Sequence, residues 1–222
     1  MGKRYCKLSA SQKKYYKVKS VLDVLFAWIA MILLSPVFLC IFIAIKMEDG
    51  IKAPVIFKQK RIGINRSYFQ LLKFRSMKLE TPHDCPTHLL QDPDQYITKV
   101  GRFLRKTSLD ELPQLWNIAT GNLAVVGPRP ALWNQEDLIE LREKYGVHQV
   151  KPGLTGLAQI SGRDELEIED KAKLDRKYVQ HFGLPMDIRC FFGTFSAVLR
   201  ADGVVEGGTG ARENKHIGGE NE

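Results

Sequence analysis

The sequence predicts an α+β fold, mostly helical with a small β-hairpin, preceded by a re-entrant membrane helix broken at Ser35-Pro36. Three features predict it: an apolar run from Val21 to Ile45, a β-favouring stretch from Pro54 to Met77, and helical apolar spacing through most of the remainder. A chain of 222 residues holds one main domain with its own core. The expected organisation is a basic flank over 1–20, the membrane helix over 21–45, the main body over 46–203 and a flexible, glycine-rich tail over 204–222.

The run VLDVLFAWIAMILLSPVFLCIFIAI is interrupted only by Asp23, Ser35 and Pro36, and is too long for a signal-peptide core. Lys3, Arg4, Lys7, Lys13, Lys14, Lys17 and Lys19 precede it; Lys46, Lys52, Lys58, Lys60, Arg61 and Arg66 follow, against only Glu48 and Asp49. Basic flanks prefer the cytoplasmic side, so a straight span misplaces one of them and a hairpin misplaces neither. Pro36 supplies the break because it lacks an N–H, and the Ser35 hydroxyl can accept the duty of satisfying a freed carbonyl. A kinked spanning helix is the alternative.

Pro54 to Met77 reads as two strands around Gly63-Ile64-Asn65. Asp92-Pro93 offers an N-cap and first-turn proline to a basic amphipathic helix in which Ile97, Val100, Phe103 and Leu104 alternate with Lys99, Arg102, Arg105 and Lys106. Such a helix suits an acidic membrane surface or, equally, packs on a core. Glu136 to Tyr145 and Glu167 to Phe182 read as charged helices, the second burying Leu174, Tyr178 and Phe182. A last helix, Asp187 to Leu199, aligns Ile188, Phe191, Phe192, Phe195, Val198 and Leu199 on an aromatic face that suits either core or membrane.

A net charge of +8 calls for an anionic partner: nucleic acid, acidic lipid or a phosphorylated substrate. The apolar run selects acidic membrane lipid over nucleic acid. Cys6, Cys40, Cys85 and Cys190 are far apart without a C-x-x-C pair, which argues against a zinc site or a disulfide framework and for reduced thiols.

The chemistry concentrates at Asp110 and Glu111, adjacent carboxylates in Thr107-Ser-Leu-Asp-Glu-Leu-Pro-Gln-Leu-Trp-Asn117. In one reading Ser108 and Glu111 form a capping box, which awkwardly puts Pro113 inside the helix. In the other Pro113 starts the helix and both acids sit just ahead of it, in a place suited to phosphate and metal. Val126-Gly-Pro-Arg-Pro130 presents Arg129 from a stiff turn; Lys151-Pro-Gly-Leu-Thr-Gly156 is a second constrained loop, followed by Gln159 and Ser161-Gly-Arg163. Each alone is ordinary loop punctuation, but together they supply fixed cationic tips of the kind a phosphate site requires.

The ordered set Lys73-Phe-Arg-Ser-Met77, Ser108-Leu-Asp-Glu-Leu-Pro-Gln114, Val126-Gly-Pro-Arg-Pro130 and Lys151-Pro-Gly-Leu-Thr-Gly-Leu-Ala-Gln159 closely resembles the bacterial monotopic phosphoglycosyl transferases, or bacterial sugar transferases, in their small single-domain subtype. The resemblance covers roughly Lys17 to Gly203 and includes Ser35-Pro36. It implies a catalytic domain on the cytoplasmic face of the bacterial inner membrane, with UDP-sugar and undecaprenyl phosphate as substrates and UMP released. It further implies Asp110 as a nucleophile that carries a covalent phosphosugar, Glu111 as its partner near Mg²⁺, both acids as metal ligands, and Arg105 as a phosphate ligand. Lys73, Arg75, Arg129 and Asp175 match family positions with less definite roles and are assigned to substrate binding. Asp175 has a bland alternative as an ion pair with Lys171, one turn away on the same helix. Arg163-Asp-Glu-Leu-Glu-Ile168 and the segment from Ala201 to Gly210 are similar to members serving capsule or exopolysaccharide assembly, where an N-acetylated sugar is common. Two rivals stand beside this reading. One is a glycosyltransferase releasing UDP, with Asp92-Pro93-Asp94 as a metal motif, and the other a non-catalytic membrane adaptor.

Overall fold

The computed structural model describes residues 7–82, 93–162 and 166–200. Its first helix, α1 (Ala10–Leu33), opens on a capping box: the Gln12 amide donates to the Ser9 hydroxyl at 3.2 Å, and the Ser9 N–H donates to the Gln12 side chain at 2.9 Å. The helix therefore begins well before Val21, where the apolar run starts, because a polar cap rather than hydrophobicity sets its end. Helix α2 (Ser35–Asp49) follows at a 63° bend, with Pro36 in its first turn and the Ser35 hydroxyl donating to Ile32 O at 2.8 Å. That is the break and the hydroxyl role expected from Ser35-Pro36. No single helix among the described residues is long and apolar enough to cross a membrane, but this bent pair is.

The pair is not a detached anchor. Ala27 of α1 is fully buried in a cluster with Phe69, Leu71, Leu115, Ile118 and Leu123, and Ile41 and Ile45 of α2 pack with Val55, Phe74 and Leu104. The opposite faces expose Leu22, Leu25, Ile29, Ile32, Leu39 and Phe42, far more apolar surface than a water-facing helix normally leaves uncovered. Asp23, the charge inside the apolar run, points inward and is paired by Lys19 at 2.9 Å. Lys19 also meets Asp187 at 3.2 Å, and Asp187 accepts hydrogen bonds from Tyr15 at 2.8 Å and Tyr178 at 2.7 Å. Lys19 is therefore no free member of the basic flank; its charge is consumed inside the fold.

The expected hairpin is present as β1 (Ile56–Ile62) and β2 (Tyr68–Phe74), antiparallel with Ile56 opposite Phe74 and Ile62 opposite Tyr68. Asn65 and Arg66 turn it with positive φ. Helix α3 (Lys99–Lys106) corrects the expected start at Asp92-Pro93. Pro93–Tyr96 is a separate 3-10 turn, Asp92 lies outside the described residues, and the cap is Thr98, whose hydroxyl accepts from Gly101 N at 2.9 Å. A Cβ on Gly101 would lie 2.0 Å from Ser76 O, so only glycine lets α3 press its backbone onto the segment after β2.

Helix α4 (Gln114–Ala119) leads into β3 (Ala124–Val126), which pairs in parallel with β4 (Gly153–Thr155). This second sheet lies within segments that read as loops in the sequence, because three-residue strands show no alternation. Gly127 and Gly156 are the reason it closes: a Cβ on Gly156 would lie 2.1 Å from Gly127 O. Helices α5 (Glu136–Tyr145) and α7 (Ile168–Gln180) match the charged helices expected, Tyr178 and Phe182 are buried, and α6 (Leu157–Ile160) is a single turn. Helix α8 (Leu184–Arg200) leaves Ile188, Phe192 and Phe195 exposed, while Phe191 packs inward and meets Phe26 of α1 edge-on at 6.5 Å. The segment from residue 201 onward lies outside the described residues.

Replacing Lys19 with Met strands two buried carboxylates, so we expect a loss of about 3 kcal/mol or more, by analogy with breaking buried ion pairs. Thermal unfolding of the detergent-solubilised chain checks it: a midpoint equal to that of the unaltered protein would show that the Lys19 cluster does not hold α1 to the body.

Candidate active site

A cavity of about 690 Å³ opens between the hairpin, α1, the Asp110 segment and α8. Its wall includes Lys73, Arg75, Arg105, Asp110, Glu111 and Arg129, so six of the seven residues expected to act on substrate meet in one place. They arrive from separate elements. Lys73 and Arg75 come from the end of β2 and just beyond it, Arg105 from the last turn of α3, and Arg129 from the turn after β3.

The two carboxylates occupy a short 3-10 turn, Leu109–Glu111, ahead of α4. Pro113 stands immediately before the first residue of α4, and Ser108 makes no capping contact, which favours the second of the two local readings. Ser108 instead adopts the left-handed conformation at φ 56, an uncommon state for a residue with a Cβ and a local strain that turns the chain sharply into Asp110. Asn117 fixes this segment to the hairpin: its side chain accepts from Leu72 N at 2.9 Å and donates to Gln70 O at 2.8 Å. The distance between Lys73 and the acids is therefore set by a backbone clamp, not by flexible side chains alone.

Glu111 is held twice. Lys73 Nζ and Arg129 Nη2 both donate to its Oε1 at 2.9 Å. Burial alone would raise its pKa, but Arg129 and Lys73 together outweigh burial and hold the carboxyl well below the usual range. Asp110 is treated differently. It is 6% exposed, Lys73 reaches it only at a long 3.4 Å, and burial, with repulsion from Glu111, pushes its pKa up against the pull of Lys73 and Arg105. Neighbouring acids in unequal environments divide into one fixed charge and one more basic carboxylate.

Arg75 is almost wholly buried and pairs with Asp49 at the end of α2 at 2.6 Å. Asp175 departs from expectation. It is fully buried, does not line the cavity, and takes both Nε and Nη2 of Arg142 on one oxygen at 2.9 and 2.6 Å. Its partner is thus Arg142 from α5 rather than Lys171, and it is Arg142 that reaches the cavity wall. Nothing local in the sequence marks Arg142, since its partner lies on a different helix. Asp94 of the rival metal motif is exposed and outside the wall.

Among the described residues no group of three or more His, Cys, Asp or Glu side chains could hold a metal. Asp110 and Glu111 nonetheless fit Mg²⁺ in its usual enzymatic mode, where one or two carboxylates suffice and phosphate and water supply the remaining oxygens.

The bent apolar helix pair thus borders a cavity in which two adjacent acids meet converging cations. In comparison with known proteins, residues 14–201 match the bacterial sugar transferase family, and the chain belongs to it. It is 41% identical over 184 residues to the UDP-glucose:undecaprenyl-phosphate glucose-1-phosphate transferase of Escherichia coli, covering 80% of this chain and 39% of that protein. It is 39% identical over 201 residues to the exopolysaccharide production protein ExoY of Rhizobium meliloti, covering 83% of this chain and 87% of that one. The undecaprenyl-phosphate galactose phosphotransferase of Salmonella typhimurium is 34% identical over 200 residues, 84% of this chain and 41% of its own length. The chain thus spans about two fifths of the larger relatives and most of the smaller one.

The left-handed Ser108 yields a direct expectation. Ser108→Gly should fold as well as the unaltered chain, whereas Ser108→Val should lose about 1–3 kcal/mol, because a β-branched residue is strained there. Equal unfolding midpoints for the two variants would show that the turn relaxes without cost.

Proposed function

We propose that this protein transfers a sugar 1-phosphate from a UDP-sugar to undecaprenyl phosphate, releasing UMP, at the cytoplasmic face of a bacterial inner membrane. The carrying observation is the unequal acid pair: Glu111 held on one oxygen by Lys73 and Arg129, Asp110 buried beside it with only a long contact from Lys73 among the described residues, inside a cation-lined cavity. The names of the relatives, which act on UDP-glucose and undecaprenyl phosphate or transfer galactose phosphate, support the same substrates. They lend no support to the N-acetylated sugar expected from the sequence. Exopolysaccharide assembly as the pathway draws on the name of the Rhizobium relative.

In the first step a carboxylate oxygen of Asp110 forms a bond to the sugar-bearing phosphorus as the bond from that phosphorus to UMP breaks. In the second a phosphate oxygen of the lipid forms the new P–O bond, and the aspartyl bond breaks to restore the carboxylate. A carboxylate approaches a phosphate only when the anionic charge is offset. Arg105 and Lys73 stand close enough to Asp110 to lower its pKa, so they also stand close enough to stabilise charge on the transferring phosphoryl group. Mg²⁺ held by Asp110 and Glu111 would supply further neutralisation of the phosphate oxygens. Raised basicity makes Asp110 the better nucleophile, while clamping by two cations makes Glu111 a fixed partner.

The test is intact-protein mass spectrometry after rapid acid quench, with UDP-sugar and magnesium present and lipid acceptor omitted. A phosphosugar adduct on Asp110 is expected; Asp110→Asn should lose the adduct and slow turnover by on the order of 10⁴-fold, as loss of a nucleophile does. An asparagine enzyme of full activity would end the covalent route, and released UDP in place of UMP would make the protein a glycosyltransferase.

The re-entrant topology belongs to the same proposal, supported by the 63° bend and by basic residues at both ends of the pair. In a background without native cysteines, Ala10→Cys and Lys52→Cys should both resist an impermeant thiol reagent applied to intact cells, and adding Pro36→Leu should expose one of them. Labelling of either site with Pro36 intact would indicate a straight span.

A further inference from the structure

Gln159, in the single turn of α6, was marked by the sequence motif but has no part in the reaction described above. Gln159 is 8% exposed and lines the cavity, yet among the described residues neither its Oε1 nor its Nε2 has a hydrogen-bond partner. Assignment of oxygen and nitrogen does not matter, because both ends are unpaired. The amide lies over the bare backbone of Gly156, where an added Cβ would come within 3.0 Å of Oε1. A buried amide in this state is costly, and what recovers the cost is a ligand group offering a donor and an acceptor side by side.

The surrounding wall indicates which group. Thr155 and Thr194 line it with hydroxyls 2.5 Å apart, and Ala158, Phe191 and Phe195 add small and aromatic surface. The cations Lys73, Arg105 and Arg129 belong to other elements, Arg142 and Lys171 reach the wall from α5 and α7, and among the described residues α6 and α8 contribute no charged side chain to it. An uncharged amide, hydroxyls and aromatic rings are the means by which proteins hold a neutral polyol, since adjacent hydroxyls each donate and accept. Resting on the function proposed above, we propose that Gln159 is the specificity residue for the transferred sugar, its amide pairing with two adjacent sugar hydroxyls.

A site built to hydrogen-bond a hydroxyl discriminates by its loss, whereas a purely apolar pocket tolerates hydroxyl changes. Gln159→Leu keeps the shape and removes both polar atoms, Gln159→Glu keeps two acceptors and removes the donor, and Gln159→Asn withdraws the amide by one methylene. UMP release by the full chain in nanodiscs is measured with UDP-glucose, UDP-galactose and UDP-N-acetylglucosamine, together with inhibition by UMP, which lacks the sugar. We expect kcat/KM of Gln159→Leu to fall by about 10-fold or more on the preferred sugar, with its preference over the others largely lost. Inhibition by UMP should stay within about twofold of the unaltered enzyme, as UMP lacks the group read. Gln159→Glu and Gln159→Asn should show intermediate losses, which a folding defect common to all three would not produce. Unchanged sugar preference in every variant overturns the proposal. So does UMP inhibition that weakens in step with kcat/KM, which would make Gln159 a reader of the nucleotide. Failure of the unaltered enzyme to release UMP from any of the three sugars would instead remove the function on which the proposal rests.

Discussion

Two carboxylates at the end of α2 anchor the helix that carries Arg105 and the segment that carries Arg75. Glu48 accepts hydrogen bonds from Lys99 N at 2.7 Å and Val100 N at 2.9 Å, filling the exposed N-terminus of α3, the helix that ends in Arg105. Asp49 takes Arg75 at 2.6 Å and so steadies the chain directly beyond β2. Both contacts join a backbone or guanidinium donor to a full negative charge, which makes them stronger than neutral hydrogen bonds. In the sequence these acids looked like minor dissent within a basic flank. In the fold they fix the height of the cavity relative to the bent helix pair, and hence to whatever apolar phase that pair enters.

At the other end of the pair, Lys19 does the corresponding work. It is shared between Asp23 of its own helix and Asp187 of α8, and Asp187 is also bound by Tyr178, whose hydroxyl donates to it while lying 3.0 Å from Val126 O. That places a polar chain from α1 to the strand leading into Arg129. Apolar packing of Ala27 between the two ends completes the attachment. The helix pair and the body are one structural unit, and the cavity is formed jointly by both, with Phe26 and Ala30 of α1 and Leu34 at the bend in its wall.

Much of this was readable from local pattern. The hairpin followed from β-favouring residues around a turn, α5 and α7 from apolar spacing, and the bend from Ser35-Pro36, because each is decided by residues adjacent in sequence. Asp110, Glu111, Lys73, Arg105 and Arg129 could be grouped as candidates through the resemblance to a family, and the fold brings them to one cavity wall. What escaped notice depends on distant partners. Thr98 beats Asp92-Pro93 as a helix start because Glu48, fifty-odd positions earlier, completes its cap. The β3 and β4 strands are too short to show a period and exist through close glycine contact. Arg142 and Lys19 look like ordinary surface charges until their buried carboxylate partners are in place. Asp175 was assigned to substrate binding with Lys171 as the alternative partner, because i,i+4 spacing is visible in a sequence; its close pairing with Arg142, between helices, is not.

The burial of Ala27 also bears on how the protein is made. Ala27 is synthesised nearly ninety residues before Leu115, and Ile118 and Leu123, which it must also pack against, follow later still. Contacts so distant in sequence form slowly and only after a large loop has closed. Helix α1 must therefore wait while the partners of its inward face are still being translated. The body in turn cannot complete that part of its core without α1. A body released without α1 would carry an open hydrophobic seam, with aggregation as the competing fate.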